Sequence, residues 1–188
     1  MMKIILASKS PRRRELLSRI FPEFEIITAQ VDETLPEGMH PMVGVELLAV
    51  RKGEAVARLY PDALVISSDT LVEYGGTPLG KPRDEADAIS TLTFLSNKTH
   101  HVHTGVAVHY KGSVYSGVDT ASVTFRKISE RDALEYVSTG EPMDKAGSYA
   151  IQGIGSKFVE SYEGDYNAIV GLGLSLTEGL VCEATKND

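Results

Sequence analysis

The chain has 188 residues, which is enough to bury a core as one domain. Hydrophobic residues make up 42% and charged residues 24% of it, as in an ordinary globular protein. The formal net charge of −7 argues against a protein that coats nucleic acid, and no apolar run is long enough to span a bilayer. The one cysteine, Cys182, excludes an internal disulfide and fits a reducing cytoplasm; we expect it to be a small packing residue. The composition therefore predicts a cytoplasmic protein, one domain over residues 1–188, with no nucleic-acid or membrane partner.

The first stretch predicts a strand, a tight polar turn and a helix. Residues 4–7 are apolar, and Pro11 follows Ser10, which is a good helix N-cap. Arg12 to Arg14 occupy the first helical turn, where the backbone dipole is already positive. This basic helix end is either solvated or an anion site, because free backbone N–H groups and guanidinium groups together bind anions.

A second short strand over residues 24–28 leads to Glu33, which precedes a loop rich in proline and glycine. The pattern is then helical from about Val43 to Tyr60, where Pro61 ends it. Lys52 shares one face of this helix with three apolar residues, Leu48, Ala55 and Leu59. A lysine at such a position commonly extends its charged end towards solvent, and from this helix alone we expect that arrangement.

The third strand is predicted over residues 63–67, with Asp69 and Thr70 at its carboxyl end. Residues 71–72 can extend it towards a turn predicted at residues 74–77. Ligands of α/β proteins bind at the carboxyl ends of strands, and the turn at Ser8 follows the first strand in the same way. Asp69 therefore either caps the next turn or acts in a cleft. Lys81 follows within the segment Gly80-Lys81-Pro82.

The remaining elements predict an α/β protein with a mixed sheet. They are a helix from about Asp84, a hairpin of residues 100–110 and 113–125 joined by Lys111-Gly112, a helix started by a capping box at Ser129 and stopped at Gly140, a loop over residues 144–155, a strand over residues 157–162, and an apolar stretch, residues 168–181, helical in its second half.

Basic residues and carboxylates together indicate phosphate chemistry, since a triphosphate needs cations to neutralise it and carboxylates to hold a divalent metal. The sequence lacks a P-loop and a strand-linked dinucleotide fingerprint, which argues against those two nucleotide-binding classes. His101 and His103 alternate along a strand, but no third ligand stands at a telling spacing. We therefore expect exposed strand histidines rather than a zinc site.

An ordered set of motifs resembles the Maf family of nucleoside triphosphate pyrophosphatases between Lys3 and about Leu176. The motifs are Ser8-Lys-Ser-Pro-Arg-Arg13, Val31-Asp-Glu33, Lys52 on its helix, Ser68-Asp-Thr70, Gly80-Lys-Pro82, Thr104-Gly-Val106, Ala146-Gly-Ser-Tyr-Ala-Ile-Gln-Gly153 and Gly164-Asp-Tyr-Asn167.

The resemblance implies a mixed, strongly curved β-sheet flanked by helices, with two lobes around a deep cleft as in inosine triphosphate pyrophosphatases, and commonly a homodimer. It implies hydrolysis between the α- and β-phosphates with a divalent cation, Mg²⁺ or Mn²⁺. Asp69 matches the catalytic acid and, with Glu33, the metal site. The residues that match the phosphate-binding set are Ser8, Arg12, Arg13, Lys52 and Lys81.

Three positions, Arg12, Thr70 and Gln152, resemble the branch that acts on dTTP and UTP rather than the branch that prefers 7-methyl-GTP. Gly173 departs from the family, which usually has proline there, and we expect a looser start of the last helix without a catalytic effect. Two alternatives remain open: a broader or purine-directed pyrophosphatase, and a cell-division or septum regulator that acts through a protein partner.

Overall fold

The computed structural model describes residues 2–186 and contains a mixed seven-stranded sheet with helices on both faces. The strands are β1 (Ile4–Leu6), β2 (Glu25–Ile26), β3 (Leu64–Tyr74), β4 (Thr77–Leu79), β5 (Thr99–Tyr110), β6 (Ser113–Phe125) and β7 (Val159–Glu163). The helices are α1 (Pro11–Leu17), α2 (Pro41–Ala57), α3 (Glu85–Leu95), α4 (Glu130–Val137), α5 (Tyr166–Val170) and α6 (Leu174–Thr185), and short 3-10 turns lie between α4 and β7. The predicted α/β class with a mixed sheet is confirmed.

The strand order is β2-β1-β3-β5-β6-β7, with β4 beside β3. Strands β1, β2 and β3 are parallel, whereas β3, β5, β6 and β7 pair antiparallel in sequence. Strand β5 covers one edge of β3 from Val65 to Glu73, while β1 pairs with the other edge up to Ile66 and β4 pairs with it from Val72. On this second edge of β3, the sheet therefore divides between the segment that pairs with β1 and the segment that pairs with β4.

Strand β3 runs beyond the predicted residues 63–67 and includes the suggested extension at residues 71–72, so the prediction that Asp69 stands at its carboxyl end is wrong. Strand β3 continues to Tyr74 because β5 supplies hydrogen-bonding partners along its whole length. Asp69 consequently lies in the middle of a long strand, between the segments that pair with β1 and with β4. The turn predicted at residues 74–77 is confirmed, with Gly75 and Gly76 both at positive φ.

Local signals explain where most helices begin. The Ser10 hydroxyl accepts a hydrogen bond from the Arg13 backbone N–H at 3.4 Å, and Pro11 is the first helical residue of α1. Ser129 and Asp132 form the predicted capping box of α4. Asp84 caps α3 through the Asp87 backbone N–H at 2.8 Å.

Separate hydrophobic clusters lie on the two sides of the division. One contains Leu92 of α3, Phe125 of β6 and Tyr136 of α4. Another packs Leu17 of α1 and Ile66 of β3 with residues of β5 and α6. The two clusters form two lobes, and the space between them is the cleft described below.

Several predicted details are wrong. Helix α2 ends at Ala57 rather than near residue 60, so Leu59 lies beyond its apolar face and is 68% exposed. The second half of the stretch over residues 168–181 is helical as predicted, in α6, but its first residues also belong to a helix, α5, and Gly171 at positive φ separates the two. Cys182 is exposed on α6 instead of packed in the core. Among residues 2–186, no helix is both long and apolar enough to cross a membrane.

Candidate active site

The cleft between the lobes has a volume of about 1260 Å³ and is lined by residues from both of them. The structure brings together in this cleft all the side chains that the sequence singled out: Ser8, Arg12, Arg13, Glu33, Lys52, Asp69, Thr70, Lys81 and Gln152. They come from the turn before α1, helix α1, the loop after β2, helix α2, strand β3, the segment after β4 and the loop before β7. The volume leaves room for an extended ligand.

Lys52 joins the two candidate acids of the site. Its Nζ lies 2.5 Å from Oδ1 of Asp69 and 3.1 Å from Oε1 of Glu33. The side chains of Lys52 and Asp69 are only 18% and 12% exposed, whereas that of Glu33 is 61% exposed. Lys52 therefore does not extend into solvent as predicted from the helix alone, because its ammonium group is drawn to the two carboxylates.

Close backbone packing brings Lys52 to this place. A Cβ atom on Gly105 of β5 would lie 2.6 Å from the Val45 carbonyl oxygen, and one on Gly53 would lie 2.5 Å from the Ser67 hydroxyl. Helix α2 thus packs directly against the sheet at Gly53 and Gly105. A larger residue at either position would force neighbouring atoms to move. The hydroxyl of Ser67 also donates to the Ala49 carbonyl at 2.7 Å, which ties α2 to β3 beside Asp69.

The Arg13 guanidinium is held by three fixed acceptors. Nε donates to the Gly171 carbonyl at 2.9 Å, and the terminal nitrogens donate to Thr70 Oγ1 at 3.1 Å and Ser8 Oγ at 3.4 Å. Burial lowers the pKa of Arg13, and the nearby Asp69 carboxylate opposes that effect. An arginine stays protonated in proteins, so this group presents a rigid positive charge to the cleft.

The Thr70 hydroxyl belongs to the same network. It accepts from Arg13, and it lies 3.0 Å from the Thr104 hydroxyl, which itself donates to the Ala168 carbonyl at 2.8 Å. Since Thr104 uses its only proton on Ala168, Thr70 is the donor in the pair of threonines. Its hydroxyl is therefore engaged by protein groups, and the direct effect of Thr70 is on the position of Arg13.

The other lobe contributes a second group of cations. Lys81 and Lys145 line the cleft from this lobe, and Arg12 lines it from α1. The Lys145 side chain is 13% exposed and forms an ion pair with Asp144. Burial raises the pKa of Asp144, but Lys145 and Arg12 outweigh burial, so the pKa lies below its usual value. The exposed Gln152 lines the same wall.

Sequence reasoning missed two contributors to this site. Lys145 precedes the Ala146–Gly153 motif directly, so its position beside that motif was the available signal. The Gly171 carbonyl accepts from both Arg13 Nε and the Ser68 hydroxyl, the latter at 2.9 Å. A backbone acceptor leaves no trace in side-chain chemistry, and only the positive φ of Gly171 marks it. The departure at Gly173 thus lies two residues from a group that holds Arg13.

Asp69 and Glu33 are the carboxylates that meet in the cleft, since both contact the same ammonium group. Mg²⁺ is commonly bound by one or two carboxylates together with substrate phosphates. Within the range 2–186, no group of three or more histidine, cysteine or acidic side chains is placed to hold a metal ion by itself. The donor set therefore fits a cation that is shared with a phosphate ligand.

His101 and His103 do face the same side of β5, where both contact the Glu73 carboxylate at 3.3–3.4 Å. His103 is buried, which contradicts the prediction of exposed histidines, while His101 is 46% exposed in its side chain. Burial lowers the pKa of His103 although Glu73 opposes it. This cluster lies outside the cleft, because none of its residues is part of the lining.

Known proteins resemble this chain in sequence and in fold. A protein of Geobacillus sp. (strain WCH70), named dTTP/UTP pyrophosphatase, is 45% identical over 177 residues, which cover 94% of this chain and 95% of that protein. A Bacillus cereus (strain AH187) protein of the same name is 46% identical over 175 residues, covering 93% and 92% of the two chains.

In fold, the Staphylococcus aureus Ham1 protein superposes with a TM-score of 0.51 at 17% identity, covering 98% of this chain and 94% of that one. This likeness supports the predicted mixed α/β fold. The model of the family described as Maf-like protein matches residues 3–184. The match covers nearly the whole chain, which therefore belongs to the Maf-like protein family.

Proposed function

We propose that this protein is a nucleoside triphosphate pyrophosphatase that hydrolyses dTTP and UTP, and modified pyrimidine nucleotides, to the monophosphate and pyrophosphate. Two relatives that share 45% and 46% of their residues with it over more than nine tenths of the chain are named for this activity. The observation that carries the proposal is the Asp69–Lys52–Glu33 cluster, which shares one cleft with the fixed guanidinium of Arg13.

The reaction is an in-line attack of water on the α-phosphorus. A bond forms between the water oxygen and this phosphorus, the bond to the oxygen bridging the α- and β-phosphates breaks, and pyrophosphate leaves. Asp69 either accepts the proton of the attacking water or orients that water, and both roles suit a carboxylate that is almost enclosed. The negative charge of the leaving pyrophosphate has to be stabilised by fixed cations.

Cations on the two walls of the cleft meet this need. Arg13 is held in advance by Gly171, Thr70 and Ser8, so little ordering is required when the triphosphate binds. Arg12 and Lys52 also line the cleft, and the other lobe adds Lys81 and Lys145. Together they balance a triphosphate, although the chain as a whole carries a net charge of −7.

We propose a divalent cation, Mg²⁺ or Mn²⁺, as the cofactor, with Asp69 and Glu33 as its protein ligands. When bound, such a cation neutralises charge on the phosphate oxygens. Lys52 keeps the two carboxylates next to each other, since both of them contact its Nζ. The two carboxylates, which are far apart in the sequence, are therefore close together before the substrate binds.

Base preference is assigned to Gln152, Arg12 and Thr70. The Gln152 amide both donates and accepts hydrogen bonds, as the edge of a pyrimidine requires, and the side chain lines the cleft. Thr70 acts by orienting Arg13. We further propose a cytoplasmic homodimer that does not bind nucleic acid. The single cysteine supports the compartment, the acidic net charge argues against nucleic-acid binding, and the homodimer rests on the resemblance to the family.

Product analysis with a matched pair of variants tests this function. Wild-type protein with Mg²⁺ or Mn²⁺ is expected to release pyrophosphate from dTTP and UTP faster than from dCTP, dATP, dGTP or 7-methyl-GTP. Asp69→Asn should abolish the release, and Asp62→Asn, at an exposed position near the start of β3, should retain it. Orthophosphate as the first product, or full activity of Asp69→Asn, would contradict the proposal.

A further inference from the structure

Glu141 lies behind the wall of the cleft that carries Gln152, and its carboxylate has three hydrogen-bond donors. Oε2 accepts from the Tyr136 hydroxyl at 2.6 Å and from the Gly155 backbone N–H at 2.9 Å, and Oε1 accepts from the Ile154 backbone N–H at 2.9 Å. Burial raises the pKa of Glu141, but these hydrogen bonds outweigh burial and keep it below its usual value. Glu141 is therefore an ionised anchor for the chain at residues 154–155.

The loop is wrapped closely around this carboxylate. A Cβ atom on Gly153 would lie 2.1 Å from Oε1 of Glu141, and one on Gly155 would lie 2.7 Å from the Tyr136 hydroxyl. The same hydroxyl accepts from the Ala150 backbone N–H at 3.3 Å. The loop is thus attached on both sides of Gln152, at residue 150 through Tyr136 and at residues 154–155 through Glu141.

Between these attachments the chain makes a tight turn that presents Gln152. The Gly153 backbone N–H donates to the Ala150 carbonyl at 3.2 Å, and the residues over 149–152 line the cleft. Glu141 also begins the 3-10 turn Glu141–Asp144, which leads directly to Lys145. One carboxylate therefore connects two of the segments with which this lobe meets the cleft, the one at Lys145 and the one at Gln152.

We propose that Glu141 is a positioning residue for base recognition, because its carboxylate fixes the turn from which Gln152 reaches the nucleotide. The inference rests on the proposed function, in which Gln152 reads a pyrimidine. An exposed glutamine discriminates between bases only when its backbone is held, since a mobile amide can turn to satisfy either edge of a base. Glu141 supplies that restraint without contacting the nucleotide.

Glu141→Gln tests this role with almost no change in volume. A glutamine side chain offers one acceptor oxygen where the carboxylate offers two, so one of the Ile154, Gly155 and Tyr136 donors faces an NH₂ group. We expect kcat/KM for dTTP to fall about tenfold, mainly through KM, because a hydrogen bond to a charged group contributes roughly 1.5 kcal/mol or more. The kcat/KM for dGTP, which does not use the Gln152 contacts, should change less than about twofold.

Glu135→Gln is the matched control, since it makes the same exchange at an exposed position of α4, where the carboxylate pairs with Arg131 at 2.8 Å. It should leave the ratio of dTTP to dGTP activity unchanged. If Glu141→Gln does not give folded protein, Tyr136→Phe removes the hydroxyl from the same cluster and should shift the ratio about threefold in the same direction.

The outcomes separate this inference from the proposed function. A wild-type protein that releases no pyrophosphate from any triphosphate overturns the function. An active wild type whose dTTP to dGTP ratio is unchanged in the folded Glu141 variant, or in Tyr136→Phe where it is the variant used, overturns the role of Glu141. An equal fall for both nucleotides also overturns it, because a general loss of structure would act on all substrates alike.

Discussion

Helix α2 crosses the sheet at Gly105, and Gly105→Ala is expected to displace the helix that carries Lys52. The atoms facing the new methyl group are the Val45 carbonyl oxygen at 2.6 Å and the Glu46 Cα at 2.9 Å. Both belong to the backbone, so no side-chain rotation can relieve the contact. Since ordinary contacts begin near 3.4 Å, α2 has to move outward by about 0.8 Å.

The size of the effect follows from the position of Lys52. It lies seven residues after Val45, two helical turns or about 10 Å along the same helix, so it moves with the helix as one body. The 2.5 Å contact between Lys52 and Asp69 then lengthens beyond a normal hydrogen bond. We expect a loss of about 1–3 kcal/mol in the free energy of unfolding and a fall in kcat of roughly 10- to 100-fold, as misplacement of catalytic groups by about 1 Å produces.

Urea unfolding and the rate of pyrophosphate release from dTTP at saturating substrate measure the two effects. Gly117→Ala on the neighbouring strand β6 is the control, because its methyl group would meet only Leu176 Cδ1, at 3.0 Å, and the end of a leucine can move aside. A Gly105→Ala protein with the kcat of wild type and stability within about 0.5 kcal/mol of it would refute the reasoning. It would show that α2 does not need its present contact with the sheet.

Two further predictions concern stability. Burial lowers the pKa of His100 to about 4 from its usual 6.5, so the unfolded chain binds more protons between these values and stability falls as the pH drops through that window. His100 alone should cost the wild type about 2 kcal/mol between pH 7 and pH 5, and His100→Gln should show a correspondingly smaller difference in urea unfolding at the two pH values; equal differences would contradict this. Gly179→Ala lies inside α6 with no atom within 4 Å of the added Cβ, and it should raise the free energy of unfolding by about 0.5–1 kcal/mol, which a decrease in the urea midpoint would contradict.

The correctly predicted elements are those whose determinants are local. Ser10 and Pro11 start α1, the capping box at Ser129 starts α4, and Lys111-Gly112 joins β5 to β6, all as expected. Such features depend on residues within one turn of each other, so the sequence carries them directly. The motifs that line the cleft could also be recognised in the sequence, because each is a run of particular residue types in a fixed order along the chain.

The boundaries of β3 and α2 were not readable in the same way. A strand continues for as long as a neighbour offers hydrogen bonds, and β5, which pairs with β3 to Glu73, comes later in the chain. The apolar stripe that included Leu59 continued in the pattern although the helix had ended. Pattern alone therefore placed Asp69 at a strand end, whereas pairing placed it within the strand, between β1 and β4.

The sequence by itself determined which groups are available: three arginines at a helix start, two acids, scattered lysines and a glutamine, together with the local elements that hold each of them. Only the tertiary structure decided what they contact. Arg13 depends on the Gly171 carbonyl, 158 positions away, and Lys52 reaches Asp69 only because Gly105 and Gly53 let α2 rest on the sheet. Periodicity reports which face of an element is apolar, but contacts between distant elements arise from close packing of the whole chain, where sub-ångström distances decide which charges meet.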